Sequence, residues 1–215
     1  MNKLMMYGIL TAVLIFVFKR FKKFSYNRRR KYIDSFIFPQ TVKSKLLQKY
    51  PHLTAVEVNE VIKGLREYFH VCNLAGEKFV SMPSQVVDIA WHEFILFTKQ
   101  YQFFCAKALG RFLHHVPAEA MRAPTIAQQG IQRAWRLSCI REKINPESPN
   151  RLPILFRLDA DLNIPDGFYY RKDCSNSGSY CASHIGCSSC GSIGDSGDSS
   201  HGCSSGCSGG CGGGD

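Results

Sequence analysis

The sequence predicts an all-α fold: a small helical bundle domain, preceded by one N-terminal transmembrane helix and followed by a disordered tail rich in Gly, Ser and Cys. Three observations carry this prediction. An uncharged apolar run fills Leu4 to Phe18, apolar residues recur at intervals of three and four through the middle of the chain, and no stretch shows the sustained alternation of a half-buried strand. A chain of 215 residues has room for one ordinary domain with appendages. The expected divisions are an anchor over 1–21, a basic juxtamembrane segment over 22–35, the helical domain over 36–173 and the tail over 174–215.

The anchor is read from length and flanks. Met1 to Phe21 spans a bilayer if Lys3, Lys19 and Arg20 reach the interfaces, where Phe21, Phe24 and Tyr26 supply aromatic side chains. Behind the run stand Lys19, Arg20, Lys22, Lys23, Arg28, Arg29, Arg30 and Lys31. Such a block resists translocation, which places the N-terminus outside and the domain in the cytoplasm, with these eight side chains against anionic lipid headgroups. The competing reading, a cleaved signal peptide, needs a positive start and a small-residue cleavage site, and only Lys3 precedes the run. Residues 1–35 hold nine of the 27 Lys and Arg, so the formal charge of +10 describes one basic block. A charge so placed argues for lipid and against nucleic acid as the partner.

The domain reads as a series of helices. Gln40 to Tyr50 is a short amphipathic stretch ended by Pro51. Thr54 and Glu57 form a capping-box pattern that opens a longer helix, with Val58, Val61, Ile62, Leu65, Phe69 and Cys72 on one face. Met82 to Gly110 starts with Pro83 and Ser84, is apolar on more than one face, and is expected to be one central buried helix. A further helix is expected from Pro124 or Thr125 to about Lys143, and a short element between Pro153 and Pro165.

Asp88 and His92 stand four residues apart on the central helix, so their side chains meet on one face. The carboxylate can orient the imidazole as part of a metal site, or the pair can be a structural hydrogen bond beside Trp91. His114 and His115, followed by Glu119, form the next polar cluster, in a loop entering a helix. If the clusters face each other, Asp88, Trp91, His92, His115 and Glu119 make the polar site of the chain. No catalytic residue is assigned, and an enzyme is the less favoured expectation.

Cysteine divides the same way as charge. Cys72, Cys105 and Cys139 lie in apolar helical patterns as small buried hydrophobes. Seven more fall between Cys174 and Cys211, an odd number that fits a disulfide framework poorly. Cys181, His184, Cys187 and Cys190 have spacing that suits zinc or another thiophilic metal, although the surrounding Ser and Gly offer little to bury.

Val87 to Cys105 resembles the signature of the glycine-rich domain-containing protein family, bacterial and membrane-anchored in type. Asp88, Trp91, His92, Leu96, Tyr101 and Cys105 carry the match, the start of Phe112-Leu-His-His fits, and Phe94 stands where the family has a second histidine. The resemblance implies a helical domain at a bacterial inner membrane and no particular activity. Two functions are expected from these features: a membrane-anchored interaction or scaffold protein with a protein partner, or a metal-binding or metal-dependent protein using Asp88, His92 and His115 or the tail cysteines.

Overall fold

In a computed structural model the chain is described over residues 3–116, 124–171 and 180–181. Helix α1 (Lys3–Ser35) is unbroken, so the apolar run and the basic block share one rod. Most of the rod's apolar side chains from Leu10 to Phe24 are exposed, whereas Ile33 near its end is fully buried in the domain. Arg66 of α3 (Ala55–Ala75) secures that end, donating to the carbonyls of Ile33, Asp34 and Phe36, the last two at 2.9 Å. The last carbonyls of a helix lack the usual bond from four residues on, and Arg66 supplies donors there.

Among the described residues no helix is long and apolar enough to cross a membrane. This corrects the expected transmembrane anchor, and with it the single-pass location at an inner membrane with an outside N-terminus and a cytoplasmic domain. The uncharged run of 15 residues makes about 22 Å of helix, against a hydrocarbon core of about 30 Å. Lengthening it at either end brings in Lys3, or Lys19 and Arg20. The basic block also has partners within the chain. Arg30 lies 3.9 Å from Asp34, and the Arg29 guanidinium covers Gly110, whose φ of +72° and missing side chain leave room for it.

Helix α2 (Gln40–Lys49) buries Val42 and Leu46 before Pro51. The capping box of α3 forms as expected: the Thr54 hydroxyl accepts from the Glu57 amide at 3.3 Å, and the Thr54 amide donates to the Glu57 carboxylate at 2.7 Å. The apolar face read from its sequence is buried, and α3 touches α1, α2, α4, α6 and α7. It is the central helix.

The stretch expected to be one helix over Met82–Gly110 is instead two, α4 (Gln85–Ile95) and α5 (Thr98–Ala108). The chain tightens where the Phe97 amide bonds to the Phe94 carbonyl at 3.1 Å, and Phe97 leaves helical conformation at φ −81°, ψ 59°. Having apolar residues on more than one face follows from this: α4 buries Val86, Val87, Ala90, Trp91 and Phe94, and α5 buries Tyr101, Phe104, Cys105 and Ala108. Phe69, Phe94 and Phe104 meet at the junction, Phe69 and Phe104 with ring centroids 4.6 Å apart.

Helices α6 (Pro124–Glu142) and α7 (Ile154–Asp161) lie close to their expected positions. Two short strands, β1 (Tyr170–Arg171) and β2 (Tyr180–Cys181), pair in parallel, Tyr170 opposite Tyr180. Of the expected tail over 174–215, only Tyr180 and Cys181 are described, and the rest lies outside the described residues.

A buried carboxylate anchors α4. Asp159 of α7 accepts from the Ser84 hydroxyl at 2.6 Å and from the amides of Gln85 (2.7 Å), Val86 (3.2 Å) and Phe168 (2.8 Å). A negative charge on the first amides of a helix satisfies orphan donors and favours the dipole. Asp159→Ala is expected to lower unfolding free energy by about 3 kcal/mol, since charge-assisted bonds are lost and donors are left buried. Denaturant titration reads this, and a loss below about 1 kcal/mol would mean that the start of α4 is held by other contacts.

His70 gives a pH signature. It is buried on α3 and pairs with Asp34 at 2.7 Å. Burial, with Arg141 nearby, holds its pKa below the ordinary 6.5 despite the opposing pull of Asp34 and Glu67. The folded chain therefore favours neutral His70 and binds fewer protons than the unfolded chain. That contribution is complete above about 6.5 and declines as pH falls through and below it. Compared with His70→Gln, the wild type should lose stability as pH falls from about 6.5 to about 5. Thermal melts across that range check it, with parallel curves as the contrary result.

Candidate metal centre

Three side chains from two segments converge beside Trp91. Asp88 and His92 come from adjacent turns of α4, and His115 comes from the loop that follows α5. The Nε2 atoms of His92 and His115 are 2.8 Å apart, and Asp88 Oδ1 lies 3.2 Å from the same His115 Nε2. Asp88 Oδ2 sits 3.7 Å from His92 Nδ1, so the carboxylate faces both rings. One ligand atom from each residue falls within 4.8 Å of the other two. Among the described residues these three are the group of histidine, cysteine and carboxylate side chains that can hold a metal ion.

Chemically the arrangement is crowded with lone pairs. His115 Nε2 can carry one proton, which serves either His92 or Asp88 but not both well. A cation among the three atoms satisfies all of them. Ligands bonded to an ion at 2.0–2.2 Å lie roughly 3.0–3.5 Å from one another, and the two separations about His115 Nε2, 2.8 and 3.2 Å, are near that range. The Asp88 and His115 side chains are each 19% exposed and His92 is 46% exposed, so the cluster opens to solvent on the His92 side.

The loop reaches α4 because Tyr101 holds it. The buried phenol accepts from the Trp91 indole N–H at 3.1 Å and donates to the Leu113 carbonyl at 2.5 Å. Burial pushes the Tyr101 pKa up, which keeps the phenol protonated and able to donate. Two residues beyond Leu113, the His115 ring stands edge-on to Trp91 with centroids 4.8 Å apart.

The structure thus joins Asp88, His92 and His115 and places Trp91 beneath them. Glu119, named with them from sequence, lies outside the described residues. Of the tail candidates, the backbone of Cys181 is described in β2, whereas His184, Cys187 and Cys190 fall outside. Cys72, Cys105 and Cys139 are buried free thiols, as expected. Burial raises all three pKa values, those of Cys72 and Cys139 to about 12, so they stay protonated and make poor ligands or nucleophiles. In the sequence Tyr101 stands out only as part of a motif, and its tie between the loop and α4 is not legible there. The signal was weak: a tyrosine ten residues from a tryptophan.

Residues 28–189 match the model of the UCP032817-like family. That is about three-quarters of the chain, and the chain belongs to this family. No curated protein and no solved structure matches it. The match corrects the resemblance to the glycine-rich domain-containing family. The residues that carried that resemblance include Trp91, Tyr101 and Cys105, all buried, which packed helices of this kind need for their core. Phe94, at the place of the second histidine, is fully buried against Phe69 and Phe104.

Proposed function

We propose that this member of the UCP032817-like family is a metal-binding protein in which Asp88, His92 and His115 hold one divalent transition-metal ion. The observation that supports this reading is the convergence of His115, from a separate loop, on the Asp88–His92 pair, with its Nε2 at 2.8 Å from one and 3.2 Å from the other. A structural hydrogen bond between Asp88 and His92 would not need a third residue, and their own nearest approach is 3.7 Å.

Two imidazoles and a carboxylate suit zinc, iron(II), cobalt or nickel, and the absence of sulfur at this cluster separates it from a thiophilic site. Three protein ligands leave at least one coordination position for water or an exchangeable ligand. The more exposed His92 marks the side from which such a ligand arrives. The cluster contains no fourth carboxylate, histidine or cysteine among the described residues, so no catalytic step is assigned to it.

The full chain should bind one zinc ion that survives replacement of all seven tail cysteines by serine. His92→Ala, His115→Ala and Asp88→Asn should each weaken that binding by more than about 100-fold, because loss of a direct ligand exceeds the loss from its supporting contacts. Calorimetric titration of each variant decides the matter. Affinity unchanged in His115→Ala sinks the proposal, and zinc lost only with the tail cysteines moves the site to the tail.

A further inference from the structure

We infer that Tyr101 is the positioning residue of the metal centre, setting the affinity for the ion by clamping the His115 loop onto α4. The inference rests on the metal-binding reading and deepens it. His115 is the ligand that α4 does not carry. Asp88 and His92 are placed relative to each other by helix geometry, whereas His115 is placed only by what holds residues 112–116, which form no helix or strand.

Tyr101 makes the side-chain hydrogen bond that holds the loop at Leu113, beside the Leu113 backbone on the Cys105 thiol and Arg111 on the Gly76 carbonyl. Its hydroxyl joins the Trp91 indole N–H to the Leu113 carbonyl, and its ring packs edge-on against Phe112 at 5.4 Å. Leu113 is itself buried, so the loop is drawn inward at that residue and His115 is turned back toward Asp88 and His92. The same Trp91 that donates to Tyr101 supports the His115 ring. One buried hydroxyl therefore connects a rigid helix, the loop and the ligand. Tyr101 does not touch the ion; it acts through His115.

Loss of that hydroxyl leaves a donor and an acceptor unpaired and frees the loop. Supporting contacts of metal ligands typically change affinity by about 10- to 100-fold. Tyr101→Phe in the full chain should weaken zinc binding, followed on the Trp91 indole resonance so that tail binding does not enter, by at least about tenfold. In a His115→Ala background the same substitution should change the residual affinity by less than about twofold, since a residue acting only through His115 has nothing left to act on. General loosening of the fold would instead weaken both backgrounds equally and overturn the inference.

Coupling is reciprocal, which provides a test without substitution should Tyr101→Phe fold poorly. Zinc added to the wild type should slow solvent exchange of the Trp91 indole proton; an unchanged rate with zinc bound overturns the inference. A wild type that binds no zinc at this site fails the metal-binding reading itself. Zinc binding of equal strength in wild type and Tyr101→Phe fails only the role of Tyr101.

Discussion

Phe94 packs between Phe69 of α3 and Phe104 of α5, and the chain turns directly after it, between Ile95 and Thr98. Had residues 82–110 continued as one rod, Tyr101 would lie about 15 Å along the axis from Trp91, and Phe104 about as far from Phe94, out of contact. The turn at Leu96–Phe97 folds α5 back so that Tyr101 meets Trp91 and the chain leaving α5 returns to the Asp88–His92 face. The candidate centre is a consequence of this reversal. Burial of three large aromatic rings, each worth about 2 kcal/mol or more, maintains it.

Much of the architecture could be read from the residues. The Thr54–Glu57 box, Pro51, Pro124 and Pro153 are local signals whose physics is complete within a few residues, and the helices start or stop where they say. The break between α4 and α5 was not legible, because no Gly or Pro marks it. Ile95-Leu-Phe-Thr is as apolar as its surroundings, and only tertiary packing shows that two faces belong to two helices. The apolar start of α1 misled for a related reason. Composition pointed to a membrane, but the charge-free length was short and the helix runs on through the basic block into the domain.

The site divides along the same line. Asp88 and His92 can be paired from the sequence because a spacing of four on a helix is local geometry, and the structure places them 3.7 Å apart. His115 was only a conditional partner, since 23 residues and a chain reversal separate it from His92. Asp159 and His70 went unnoticed: their roles at the start of α4 and the end of α1 depend on partners 75 and 36 residues away. Polar residues of this kind specify how helices dock, and the hydrophobic pattern does not reveal them.

Phe94 also shows why a histidine at its own position could not join Asp88 and His92. A residue two positions after His92 lies about 200° around the helix and faces the opposite side. A histidine there would enter the aromatic core, not the polar face, so two ligands on one turn of this helix at that spacing cannot converge on one ion. Recruiting His115 from the loop resolves the geometry at a cost. The candidate cluster then depends on α5 packing against α4 and on Tyr101 holding Leu113 inward. Any ion held by these three side chains is therefore linked to the α4–α5 packing itself, stabilising the reversal as it is stabilised by it.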